Sequence, residues 1–358
     1  MANIRPWLEA LVASQGSDLH LKVGSPPQIR VDGRLHRLDA PVITSEVTEE
    51  LLREVVRPEL HDEFQRTSEA DFGYSLAGVG RFRVNAFRQR GSVGMVLRRV
   101  QVGAISIEEL ALPPVIARLA EEPRGLVLVT GPTGSGKTTT LAAMIDHVNT
   151  SRPAHILTIE DPIEVLHADK VGIVNQREVR VDTEDFATAM RAAMRQDPDV
   201  ILVGEIRDAE TLKAALSAAE TGHLVLSTLH TTDAPETVNR CIDLFPPFQQ
   251  RQVRLSLAGA LRGIVAQRLV KRADEDGRIA VLEVMVNTGR TAEAIADENR
   301  TGELGEIIAD GAFYGMQTFD QHLTDLYRDQ MVTLEDAVSV ASNPHDFRVA
   351  LRNQGLVA

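Results

Sequence analysis

The chain has 358 residues, with 38 Lys plus Arg against 51 Asp plus Glu, a formal net charge of -13. That balance argues against a surface built mainly to hold nucleic acid, so no nucleic-acid partner is expected. The single cysteine, Cys241, excludes an intrachain disulfide and a thiolate metal cluster and suits a reducing compartment. No run approaches the roughly 20 apolar residues of a spanning helix, so direct transmembrane insertion is not expected.

The opening MANIRPWLEALVAS reads as the start of a helix, because Glu9 interrupts an apolar stretch too short for a signal peptide. Residues 17 to 100 then alternate in short units. LHLKV, the turn GSPP, QIRV and RLHRL read as a strand, a turn and a hairpin. TSEVTEELLREVV has helical spacing with Thr44 or Ser45 as its cap, and FGYSL, AGVGRFRVNAFRQ and SVGMVLRRV return to strand character. These features predict a small α+β domain with an antiparallel sheet over residues 1–100. Residues 101–120 read as a linker region in which Pro113 and Pro114 start a helix.

The pattern changes over residues 121–358. GLVLVT is a continuous apolar strand of the kind buried on both faces. TTTLAAMIDHVNT reads as a helix, HILTIED as a strand, and FATAMRAAMRQ as a helix with Phe186, Met190, Ala193 and Met194 on one stripe. VILVGE is a strand, TLKAALSAAETG a helix stopped at Gly222, and HLVLSTLH a further strand. Asp233 with Glu236 predicts a capping box before TVNRCIDLF. Strand and helix alternating in this way indicate a mostly parallel α/β sheet. From about residue 250 the chain reads mainly helical, with a strand-like interlude at RIAVLEVMV. Between 291 and 310, Glu293, Asp297, Glu298, Glu303, Glu306 and Asp310 are offset only by Arg300, which reads as a solvated acidic helical surface. Met316, Phe319, Leu323 and Leu326 recur at helical spacing and read as packing.

G-x-x-x-x-G-K-T spans residues 131–138, between the buried strand and a helix. Gly131, Gly134 and Gly136 allow tight turns in which backbone amides face phosphate. Lys137 is expected to reach the β and γ oxygens of a bound nucleoside triphosphate, and the Thr138 hydroxyl to bind Mg²⁺. Thr133, Ser135 and Thr139 complete the predicted nucleotide set. A phosphate grip alone does not make an enzyme; hydrolysis also needs a metal and a group that positions water. Glu205, at the exit of VILVGE, is a carboxylate at a core strand end, where leaving it without a partner or task is costly. TIEDPIE adds Glu160, Asp161 and Glu164 after another apolar strand, and residue type alone does not divide the roles among them. His223 and His230 bracket the strand LVLSTL seven residues apart, a spacing that gives zinc binding little support and suits neutral hydrogen-bonding groups near phosphate.

Six arginines and no lysine lie between residues 81 and 99. Arg81 and Arg83 share one strand face by the period of two, with Phe82 and Val84 on the other. Two uses stay open for that face: the nucleotide of a neighbouring subunit, or a solvated surface paired with acidic neighbours.

Taken in order, SDLHLKVGSPPQIRVDGRL, GRFRVNAFRQRG, GPTGSGKTTT, ILTIEDPIE, ILVGEIRDAET, TGHLVLSTLHTT and GMQTFDQHLTDLY run through nearly the whole chain. Together they resemble the pilus retraction, or twitching motility, ATPases of bacterial type IV pili, within the secretion ATPase superfamily. The resemblance implies an N-terminal PAS-like α+β domain followed by a RecA-like P-loop ATPase domain with a helical C-terminal part. It implies a homo-hexamer that hydrolyses ATP with Mg²⁺ to drive pilus retraction, cytoplasmic and peripheral at the inner face of the cytoplasmic membrane, docked on an inner-membrane pilus platform protein. It assigns water activation to Glu164, the Mg²⁺ association to Glu205, a nucleotide-side role to His223 and His230, and phosphate contacts across a subunit boundary to Arg81 and Arg83. One segment departs from the pattern: GRTAEAIADENRTGELGEI lacks the Ala-Ile-Arg-Asn-Leu type sequence that retraction enzymes carry beyond the nucleotide domain. An accessory pilus ATPase therefore stays open, as does an assembly-side one, although a chain with one cysteine cannot hold the four-cysteine zinc site usual there. The arginine cluster alone also fits a nucleic-acid translocase, which the acidic net charge counts against.

Overall fold

In the computed structural model, which describes residues 3–357, the chain forms two units. The first runs through Val102 and takes in Asp161–Leu166 and Arg180–Asp182; the second holds Gly103–Glu160, His167–Val179 and the chain from Thr183 onward.

Alternation of apolar and polar residues builds the N-terminal unit. Among the described residues its sheet has six antiparallel strands in the order Arg34–Arg37, Gln28–Val31, Asp18–Leu21, Ser92–Arg99, Gly80–Gln89 and Glu69–Leu76. Leu19, Leu21, Phe82, Val84, Val93, Met95 and Leu97 share one buried face. Helices Arg5–Ala13, Ser45–Val55 and Pro58–Thr67 supply Leu8, Leu11, Leu51, Leu52 and Phe64 to the same core. Thr44, not Ser45, caps the second helix, its hydroxyl accepting from Val47 N at 3.5 Å. The third helix was not foreseen from sequence; Pro58 opens it and Phe64 anchors it. Val165–Leu166 pairs in parallel with Gln101–Val102, and Arg57 Nη1 donates to Val181 O at 2.9 Å. Those contacts tie the two later segments to this unit.

The second unit is built on a sheet that among the described residues has seven strands, in the order Ile173–Glu178, His155–Glu160, Val200–Val203, Leu224–Leu229, Gly125–Thr130, Leu261–Lys271 and Arg278–Val286. All neighbours are parallel except the last pair. The central strands are buried along their whole length, because apolar clusters cover both faces. This is the α/β unit expected, followed by a helical C-terminal part that includes Gly289–Ala296, Phe319–Arg328 and Pro344–Asn353. Phe319, Leu323 and Leu326 are buried on one face of Phe319–Arg328 as the spacing required, whereas Met316 is buried before that helix begins and in a different apolar cluster.

Three sequence expectations are corrected. LRGIVAQRLVK is not helical but the strand beside Gly125–Thr130; Ile264, Val265 and Val270 favour extended backbone, and cover on both faces hides the period of two. Met194 lies outside its predicted stripe and is exposed, since the helix ends at Ala193. Asp233 does cap its helix through Glu236 N, but the Glu236 carboxylate turns back to Thr232 N and Oγ1 in place of closing a reciprocal box. No helix among the described residues is long and apolar enough to cross a membrane.

Candidate active site

The loop after Gly125–Thr130 has a backbone that few side chains tolerate. Gly131 and Gly136 have φ of 139° and 91°, in the region where L side chains are strained. A Cβ on Gly131 would lie 2.3 Å from Gln267 O, and one on Gly136 would lie 2.7 Å from Gln267 Nε2. The loop is therefore pressed against the neighbouring strand and opens directly into helix Lys137–Ser151. The first-turn amides of that helix, at Lys137, Thr138 and Thr139, have no intrahelical acceptor and carry the positive end of the helix dipole. Lys137, only 9% exposed, donates to Gly131 O at 2.7 Å and Pro132 O at 3.0 Å. Burial draws its ammonium below the usual lysine range, and Glu205 pulls it partly back up.

Glu205 follows a strand exit that its neighbour clamps. Thr228 Oγ1 donates to Gly204 O at 2.7 Å, Ser227 Oγ to Val203 O at 2.7 Å, and Ile206 N to Thr228 O at 3.0 Å. The carboxylate is mostly buried and meets Arg207 through Oε1 and His230 Nε2 at 3.5 Å through Oε2. Burial would raise its pKa; hydrogen bonding and charge from Arg207 and His230 outweigh that and hold it below the usual glutamate range. Lys137, Glu205, Arg207 and His230 are thus gathered at the loop end of the parallel sheet, where strand carboxyl ends conventionally carry ligand chemistry.

His223 does not join them. Gly125 N donates to His223 O at 3.0 Å, which fixes this residue at the strand's amino end, and its Nδ1 lies 3.0 Å from Ala218 O at the end of the preceding helix. A strand of six residues spans about 20 Å, so the two histidines belong to opposite ends of this strand. The assignment of a nucleotide-side role to His223 is corrected on that ground. The parallel direction of the strand was enough to tell the pair apart, since only its carboxyl end lies beside the loop.

The acidic segment is divided between units. Glu160 is buried in the second unit, accepting from Thr158 Oγ1 at 2.6 Å and Gln176 Nε2 at 3.0 Å. Asp161 and Glu164 belong to the N-terminal unit, where both lie within electrostatic range of Arg83. Arg81 and Arg83 do share the open sheet face, and each has a partner there: Ser75 for Arg81, Asp71 for Arg83.

Two residues escaped sequence reasoning. Gln267, 2% exposed, accepts from Thr140 Oγ1 at 2.8 Å and donates to Ser135 O at 2.7 Å, so it braces the loop from the next strand. Its signal was a single amide inside IVAQRLV, in a segment read as helical. Arg207 was visible two places after Glu205, but its pairing required coordinates.

A nucleotide fits this loop on its own chemistry. Ser135 Oγ and Thr130 Oγ1 are buried polar atoms without a hydrogen-bond partner, in a cradle that any Cβ at Gly131 would fill. Thr138 and Glu205 each carry an oxygen donor of the kind a magnesium ion takes, and would be the residues to hold one. Mg²⁺ typically takes one or two protein oxygens and completes its shell with phosphate and water.

Loop, sheet direction and paired strand-end glutamate together define a P-loop ATPase of RecA-like architecture. The crystal structure of the pilus retraction motor PilT with bound ADP is similar over 97% of this chain and 99% of its own, with a TM-score of 0.87 and 42% identity. The chain matches the Type II/IV secretion system protein family over residues 4–330 and belongs to it. The type IV pilus retraction ATPase PilT of Pseudomonas aeruginosa is 45% identical, covering 95% of this chain and 98% of its own length. The type IV pilus ATPase PilU of the same organism is 42% identical, covering 96% and 90%.

Proposed function

We propose that the protein is a motor ATPase that couples ATP hydrolysis to type IV pilus retraction and twitching motility. The observation that carries this reading is 45% identity to a retraction ATPase over 95% of the chain, with the phosphate loop intact. Lys137 and the first-turn amides bind the terminal phosphates, and burial of Lys137 keeps its charge dry and therefore effective. A Mg²⁺ ion held by Thr138 and Glu205 would neutralise charge on the β and γ oxygens. Arg207 and His230 keep Glu205 ionised for that task. Water activation is assigned to Glu164 on the strength of its motif. Assembly into a homo-hexamer, docked through a membrane platform protein at the inner face of the cytoplasmic membrane, completes the reading; a closed ring lets one subunit's arginines face its neighbour's nucleotide.

A second reading, an accessory pilus ATPase, is favoured by the 42% identity to PilU and by the acidic segment at 291–310 where the retraction-type sequence is missing. Deletion and complementation, scored by live imaging of pilus extension and retraction, decides between them. The intact chain should restore retraction by itself; restoration only beside a second ATPase would make it accessory. Lys137→Ala should cut ATP turnover by at least about 100-fold and abolish complementation, as loss of a transition-state charge requires. Turnover within a few-fold of the parent would end the ATPase motor account.

A further inference from the structure

The open face of the N-terminal sheet holds Arg81 and Arg83 in different ways. Both project from the face opposite buried Phe82, Val84 and Ala86. Arg83 is taken side-on by Asp71 of the adjoining strand: Nε donates to Oδ1 at 3.1 Å and Nη2 to Oδ2 at 2.5 Å. The register sets Gly73 across from Arg83 and Asn85 across from Asp71, so the pair runs diagonally past a residue with no side chain. A guanidinium has five N–H groups, and this grip uses two of them. Nη1 makes no hydrogen bond among the described residues. Arg81 is the reverse case, because its Nη1 is the nitrogen that donates to Ser75 Oγ, at 2.9 Å. Asp161 and Glu164 attract Arg83 from the segment that belongs to the same unit, without hydrogen-bonding to it among the described residues.

Both members of the Arg83–Asp71 pair are 43% exposed. Pairs so wet add little to folding. What a two-point grip does is remove rotamer freedom and fix the plane of the fork, which is worth most to a group that must meet phosphate in one orientation.

We propose that Asp71 is a positioning residue that holds Arg83 so that its Nη1 edge is presented to the terminal phosphate bound by a neighbouring subunit, making Arg83, not Arg81, the arginine that reaches it. This rests on the arrangement of arginines and neighbouring nucleotide proposed above. Asp71 stays paired throughout, since the edge it occupies is not the edge offered.

The test is steady-state ATP turnover of the full-length oligomer, with kcat and KM resolved separately. Arg83→Ala should lower kcat by about 100-fold or more, and Arg81→Ala by much less. Asp71→Ala should lower kcat roughly 5- to 20-fold with KM within about two-fold, the pattern of a lost orientation in the transition state. Asp71→Glu should recover part of it, and Asp71→Ala should add nothing in an Arg83→Ala background. Asp71→Asn, nearly the same shape, repeats the measurement should the alanine variant fail to assemble. An equal fall with and without Arg83, or an unchanged kcat beside an intact Arg83, would overturn the positioning role. If Arg81→Ala is the severe variant and Arg83→Ala is mild, the choice of Arg83 falls and the subunit-boundary reading survives. If neither arginine matters, that reading fails as well.

Discussion

In the large sheet, Gly125–Thr130, Val200–Val203 and Leu224–Leu229 are buried along their entire length, whereas in the N-terminal sheet the strand Gly80–Gln89 buries Phe82, Val84 and Ala86 and leaves Arg81, Arg83 and Asn85 between them at least partly open. The difference decides where each can put charge. A strand covered on both faces has no lateral surface for polar side chains, so Glu205 and His230 stand after strand ends and Lys137 follows the loop. A strand covered on one face can carry Arg81 and Arg83 along its length, with Asp71 and Ser75 reached sideways from the next strand. Polar side chains that do lie within strands of the large sheet are engaged: Gln267 with Ser135 and Thr140, Glu283 with the backbone of a helix start at Ala234, Ser227 and Thr228 with carbonyls of the adjoining strand exit, and Thr158 with Glu160.

The strongest way to break this contrast is Phe82→Ala. If the lower face of the N-terminal sheet is a packed core, removing this fully buried ring should cost about 3–5 kcal/mol, read by urea denaturation with hydrogen exchange over residues 18–31. A loss below about 1 kcal/mol would show that the face is not core.

Glu283→Gln sharpens it from the other side. Burial pushes the Glu283 carboxyl up to about 7, with Asp233 and Asp320 adding to the rise and the Ala234 amide and Arg268 opposing it. The folded chain then holds this proton more tightly than the unfolded chain. Its contribution is fully present below the usual glutamate value of 4.5 and is lost as pH rises through 7. The amide keeps an acceptor for Ala234 N and cannot ionise, so the variant should exceed the parent in stability at pH 8 by about 3 kcal/mol. The gap should close below pH 5. His322 slopes oppositely, since burial holds it at about 4: its contribution is full above 6.5 and is lost as pH falls. Comparing variant with parent at each pH cancels that slope. A gap independent of pH would refute the buried carboxyl account.

Gln267→Leu is the smaller effect. It leaves Ser135 O and Thr140 Oγ1 without their partner on the next strand, and should cost about 1–3 kcal/mol in melting experiments, together with a raised KM for ATP as the loop loosens. An unchanged KM would mean that the glycine geometry alone holds the loop.

Much of this was legible beforehand where a local pattern has one physical solution. Alternation at GRFRVNAFRQ foretold both the buried face and the arginine face, and G-x-x-x-x-G-K-T between an apolar strand and a helix foretold the cradle. LRGIVAQRLVK was misread because burial on both faces removes the period that distinguishes strand from helix. With it went Gln267, whose role exists only because that strand lies beside the loop.

By itself the sequence determined the phosphate loop, the glutamate at the strand exit and the class of each sheet, since these depend on neighbours a few residues apart. Only the tertiary structure decided that His230 and not His223 stands near Glu205, that Glu160 is buried in one unit while Glu164 belongs to the other, and that Asp71 grips Arg83 by one edge. Those outcomes turn on strand order, strand direction and pairing between segments as far apart in sequence as Gly125 and Leu224, which no local spacing encodes.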